Sequence, residues 1–128
     1  MIVKTVVDKE TPVIIHTVTG EVTFKELKSS YEAVLAHPEF QTDMPSMWDL
    51  RDADASRFDR QDVIRLARYI ETQIKNRSEY KVAVIVSRDL EYGLSRMYQV
   101  AVADLPAKIG IFMNFEEAKH WISGSDSP

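Results

Sequence analysis

Two short polar clusters hold the residues of this chain whose types and spacing suit chemistry. Asp52, Asp54, Ser56 and Asp59 follow the stretch SMWDLRD, and Ser87, Arg88 and Asp89 follow the apolar run Val82 to Val86. If those two stretches are neighbouring strands, the clusters face each other at the ends of the strands, where open α/β sheets usually bind ligands. Several carboxylates together suit a divalent cation, and Arg88 beside exposed helix N–H groups suits an anion. The same residues also have a conformational use, Asp59 and Asp89 as helix caps and the others as solvated turn residues. That second use is the favoured expectation.

Asp49 and Arg51 form a second candidate. Two charges two residues apart share one face of a strand, and in a sheet covered on both sides that face meets a helix, so the charges need partners. One reading makes them the polar floor of a pocket near Trp48, with Arg96 reaching in from the helix that follows Asp89, and with Tyr92 and Tyr98 as lining. The favoured reading is an ion pair at an exposed part of the strand, since such networks are usually structural. Within YGLSRMYQ, Gly93 would allow close approach of a backbone or ligand, or ease packing against the sheet, with Met97 and Tyr98 in the core. One glycine is far from a phosphate-binding loop. His16, His37 and His120 lie on three different elements, with no metal-ligand spacing and no obvious base. No nucleophile, base and orienting acid assemble, so no enzyme activity, metal or cofactor is expected.

The elements that must position these residues follow from hydropathy period and caps. Residues 2 to 8 and 12 to 18 read as a hairpin of two strands. Thr23 with Glu26 is a capping box that opens a first helix, whose buried face is Phe24, Leu27, Tyr31, Val34 and Leu35. Alternation over 46 to 52 sets Trp48 and Leu50 against Asp49 and Arg51 in a third strand. Asp59 caps a second helix over about 60 to 76, with Val63, Ala67, Ile70 and Ile74 inward and Gln61, Arg65, Arg68, Thr72 and Lys75 outward. The run Val82 to Val86 is a fourth strand covered on both faces. Leu94, Met97, Tyr98, Ala101, Val102 and Leu105 repeat as one face of a third helix. KIGIFM at 108 to 113 is a fifth strand, and Asn114 caps a last helix anchored by Phe115, Ala118, Trp121 and Ile122. The tail, residues 123–128, is expected to fray.

The order β-β-α-β-α-β-α-β-α predicts a five-stranded mixed, mostly parallel α/β sheet with four helices, joined by right-handed crossovers after the first hairpin. With 128 residues, this is one domain. There is no cysteine, which removes disulfide scaffolds and thiolate chemistry. A net charge of −4, with acids interspersed among Arg57, Arg60, Arg65, Arg68, Lys75 and Arg77, argues against nucleic acid as partner. No apolar run is long enough to span a membrane and no signal peptide is evident, so the expected location is the cytoplasm.

Trp48-Asp49-Leu50-Arg51, KVAVIVSRDLEYGLSRMYQ and IFMNFEEAKHWI, together with the element order, resemble the SpoIIAA-like members of the STAS superfamily (sulphate transporter and anti-sigma-factor antagonist domains), and especially a branch of small bacterial proteins of that fold. The resemblance implies a SpoIIAA-like fold and a non-enzymatic module that binds a protein partner or itself as a homodimer, through exposed parts of the second and third helices. Antagonists of this superfamily carry a phosphorylatable serine in an Asp-Ser motif at the start of the helix after the third strand. Here that turn reads Arg57-Phe58-Asp59-Arg60-Gln61, with Ser56 ahead of it, so the phosphate switch does not carry over. The alternative is a protein that binds a small apolar or anionic ligand between the third helix and the sheet, near Trp48, Tyr92, Arg96 and Tyr98. A concave pocket of about 300 Å³ or more would favour the ligand, and a flat apolar patch of several hundred Å² would favour association.

Overall fold

A computed structural model describes residues 1–41 and 43–124. The elements are β1 (Ile2–Asp8), β2 (Val13–Glu21), α1 (Phe24–Leu35), β3 (Ser46–Asp54), α2 (Arg60–Ile74), β4 (Tyr80–Ile85), α3 (Asp89–Ala101), β5 (Ala107–Phe112) and α4 (Phe115–Ile122). They form one five-stranded sheet in the order β1-β2-β3-β4-β5, antiparallel between β1 and β2 and parallel elsewhere. Each parallel step moves one place in the same direction. Right-handed crossovers then bring α1, α2 and α3 to one face of the sheet, and α4 covers β3, β4 and β5 on the other. Among the described residues, no helix is long and apolar enough to cross a membrane. Of the expected frayed tail, residues 125–128 lie outside the described residues; Ser123 caps the end of α4.

Local chemistry starts most helices where the sequence predicts. The Thr23 hydroxyl oxygen accepts from the Glu26 backbone N–H, Asp59 and Asp62 form a reciprocal capping box, and Asn114 accepts from the Glu117 N–H. The third helix departs from this pattern. Its N-cap is Arg88, which makes no side-chain cap bond, and Asp89 is the first helical residue, where its charge suits the helix dipole.

The strand period sorts the sheet into two faces. Val82, Val84 and Val86 join Ile70 and Ile74 beneath α2, with Trp48 and Leu50 against the same cluster. Val13, Met47, Ala83 and Ile85 join Ala118 and Ile122 beneath α4. Several expected core positions lie outside. Leu35 and Met97 are exposed, as are Ala101 and Gly93, and a Cβ on Gly93 would meet nothing within 4 Å. The inward face of α3 is instead Glu91, Leu94, Ser95 and Tyr98, with Val102 just past the helix end. The shift is one position around the helix, because Glu91 and Ser95 are polar yet buried and a hydropathy pattern assigns such residues to solvent.

Gly110 in β5 is a glycine the packing requires. A Cβ there would sit 2.8 Å from Phe112 and 2.9 Å from Trp121, whose rings lie with centroids 5.4 Å apart. Its bare backbone lets Trp121 of α4 lie directly on the edge strand.

Candidate functional site

The face under α1, α2 and α3 is not filled. A cavity of about 160 Å³ lies between those helices and the sheet. Its floor is Ile14 and His16 of β2, Ser46, Trp48, Leu50 and Ala53 of β3, and Tyr80, Val82 and Val84 of β4. Leu27, Tyr31 and Val34 of α1, Val63, Leu66 and Ile70 of α2, and Leu94, Ser95 and Tyr98 of α3 form its roof. Much of the lining is rigid rings, which cannot fill gaps as flexible side chains do. The His16 and Trp48 rings lie 4.0 Å apart between centroids, tilted by 31°, and Tyr31 meets Tyr69 edge to face. Apolar cavities of this size, about 150 Å³, hold one benzene-sized molecule. The volume is about half of the roughly 300 Å³ set above as favouring a ligand, so the space suits only a molecule of about benzene size and no ordinary larger ligand.

The polar groups of the cavity are few. His16 is buried, and its Nδ1 lies 2.9 Å from the Thr5 hydroxyl on the paired strand β1. Its Nε2 is buried without a hydrogen-bond partner. Burial, aided by the positive charge His37 can carry, lowers the His16 pKa to about 4, so the ring is neutral near pH 7. Burial also raises the hydroxyl pKa values of Tyr80 and Tyr98, keeping both protonated. At the Tyr80 end, the Arg77 guanidinium lies 4.0 Å from the Tyr80 ring centroid and donates to the Tyr31 hydroxyl at 3.3 Å.

Glu91 marks the other end. Only 3% exposed, it accepts from the Ala55 backbone N–H at 3.0 Å and from Arg88 Nε at 2.8 Å, with a second bond from Arg88 Nη2. The Arg88 guanidinium holds the Glu91 carboxyl below the usual carboxylate range against the opposing effect of burial. Arg88 also reaches Asp54 at 3.5 Å, and the Ser87 hydroxyl donates to the Arg51 carbonyl at 3.0 Å. The two polar clusters of the sequence therefore do meet, because β3 and β4 are neighbours. Their contact ties the loop after β3 to the first turn of α3. Asp59 is engaged as a cap and Asp54 accepts from the Ser56 N–H. Among the described residues, no group of three or more His, Asp or Glu is placed to hold a metal ion.

The expected pocket floor is corrected by the strand period. Trp48 and Tyr98 line the cavity, but Asp49 and Arg51 point to the α4 face, where the Arg51 guanidinium lies 5.8 Å from the Phe115 ring. They satisfy each other there: Arg51 donates from Nε to Asp49 Oδ1 at 3.0 Å and from Nη2 to Oδ2 at 2.8 Å. The paired guanidinium lowers the Asp49 pKa. Arg96 is on the outer side of α3 bonded to Gln99, and Tyr92 is exposed, so neither reaches the cavity. Ser87, Arg88 and Asp89 are also exposed, Arg88 contributing through Glu91. Sequence reasoning missed His16 and Glu91. For His16 a signal existed, since alternation in VIIHTV sets it between Ile14 and Val18 on one buried face; for Glu91 there was none.

No family model and no curated protein matches the chain. Its architecture is similar to the crystal structure of an uncharacterized protein of the DUF3478 family, described as having a SpoIIAA-like fold, from Shewanella loihica PV-4. The two superpose with a TM-score of 0.58 at 17% sequence identity, over 94% of this chain and 92% of that one. At that identity the likeness speaks to the fold alone, and the fold of this chain is SpoIIAA-like.

Proposed function

We propose that this chain is a binding protein for a small, mostly apolar molecule held in the cavity beneath α1, α2 and α3. The observation that carries the reading is the cavity itself, about 160 Å³ and lined by aliphatic and aromatic side chains with few polar atoms. Apolar side chains that line such a space lack packing partners on one side, and an apolar ligand supplies those contacts. Toluene is a suitable probe. Native mass spectrometry of protein taken from cell extract, followed by titration with toluene, tests the reading. A retained small molecule, or a rise in Tm with toluene, is expected. A bare mass together with no effect of toluene rejects it.

Association remains the second reading, favoured by one feature. Leu90, Met97 and Val100 form an exposed apolar stripe on α3, with Val100 67% exposed. A second copy of the chain is the proposed partner. The same mass spectra report it: a dimer that Val100→Glu disperses supports this reading, and a monomer at all concentrations counts against it.

A further inference from the structure

The two edges of the sheet differ in how they are protected. β5 is weakened as a template by Gly110, and the Gln99 side chain donates to its Ile109 carbonyl. β1 has no such guard. It runs for 7 residues without proline or glycine, and its pairing to β2 is unbroken from Ile2 to Asp8. Ile2, Val3, Thr5, Val6 and Val7 are all β-branched, which suits strand pairing. Among the described residues its backbone bonds only to β2, so its outer row of N–H and C=O groups is open to another strand.

The side chains of β1 decide which strand fits. On the α4 side of the sheet lie Ile2, Lys4, Val6 and Asp8, paired to Thr19, Thr17, Ile15 and Val13 of β2. Ile2 is 71% exposed and Val6 52%. Among the described residues, neither Lys4 nor Asp8 has an ion-pair partner. Asp8 Oδ1 accepts from the Glu10 and Thr11 backbone N–H groups, which leaves Oδ2 for a cation.

A second copy can extend the sheet by antiparallel pairing of β1 with itself about a two-fold axis normal to the sheet. Such an axis keeps each side chain on its own face, so it passes through a residue. Through Lys4 it would set like charges opposite each other. Through Thr5 it would set Lys4 against Val6 and Ile2 against Asp8. Through Val6 it sets Lys4 against Asp8 twice and Val6 against its own copy, with an Ile15 on either side. Charge and hydropathy are matched in that register.

We infer that the open edge of β1 binds a second copy of this chain, antiparallel and centred on Val6, so that one continuous sheet runs through the dimer. This surface is separate from both the cavity and the α3 stripe. The chain has no cysteine, so single introduced cysteines report the register. Residues directly opposite in an antiparallel pair have Cα atoms about 4.5–5.5 Å apart, inside the disulfide range of about 4.4–6.8 Å. The two Lys4 residues would lie four positions apart along the pair, about 13 Å. Under mild oxidation Val6→Cys should therefore form a disulfide-linked dimer at least about tenfold faster than Lys4→Cys. Equal rates, or no cross-link in Val6→Cys, overturn the inference. Sedimentation equilibrium gives a second measure. Lys4→Glu turns two attractive pairs repulsive and should weaken the dimer about tenfold, while Val100→Glu should change it less than about twofold. A monomer at every concentration overturns the inference. A dimer that Val100→Glu disperses and Lys4→Glu does not also overturns it, and leaves the α3 stripe as the interface.

Discussion

The two faces of one sheet are closed in opposite ways. Beneath α4, a single helix seats Ala118 and Ile122 against Val13, Met47, Ala83 and Ile85, and Trp121 reaches the bare backbone of Gly110. Beneath α1, α2 and α3, three helices and many larger side chains leave a cavity of about 160 Å³. More covering mass thus gives poorer filling. Small residues at contact points let an element approach closely, whereas rings held by neighbouring rings prop the helices away from the strands.

The contrast can be broken by substitution, and the largest effect is expected on the filled face. Ile85 is fully buried there, and Ile85→Ala should cost about 2–5 kcal/mol in urea denaturation. A loss under 1 kcal/mol would mean that the α4 face is loosely packed as well.

A pH effect of about 3 kcal/mol is expected on the cavity face. His16 has a folded pKa of about 4 against 6.5 when unfolded. Between those values the unfolded chain binds the proton and the folded chain does not, so acid favours unfolding through this residue. Stability should fall as the pH drops from about 6.5 to about 4, by up to about 3 kcal/mol at the low end. His16→Leu should lack that slope. Equal slopes in denaturation series from pH 7 to pH 4 would place the titration elsewhere.

Adding atoms to each face gives the smaller pair of effects. Gly110→Ala puts a methyl group within 3 Å of the Phe112 and Trp121 rings, and should cost about 1–3 kcal/mol. Ser95→Leu enlarges a buried side chain that lines the cavity, and should change stability by less than about 1 kcal/mol while removing toluene binding. If Ser95→Leu is the costlier of the two, the faces do not differ in the way described.

Most of the fold is legible along the chain because its causes are local. Caps such as Thr23, Asp59 and Asn114 act over three residues, and the alternation of Trp48 and Leu50 with Asp49 and Arg51 is a property of any strand. The element order then limits the sheet to nearly one topology, since parallel neighbours need crossovers of one hand. The candidate site was legible only in part. Trp48 and Tyr98 line the cavity, while Asp49 and Arg51 lie on the α4 face and Tyr92 and Arg96 on the outer side of α3, since nearness in sequence does not fix the face of a strand or helix.

The sequence by itself determined which segments are strands and helices, which residues alternate across the sheet, and the order in which the elements must lie. Tertiary structure alone decided which face of β3 meets three helices and which meets one, and so where Asp49 and Arg51 point. It also decided that Glu91 is buried by a loop 36 residues earlier, and that one nitrogen of His16 is buried without a hydrogen-bond partner. The physical reason is range. Caps and periods are set by neighbours within a turn or a pleat, but a cavity is the space left over when distant side chains of fixed shape fail to fill a common volume.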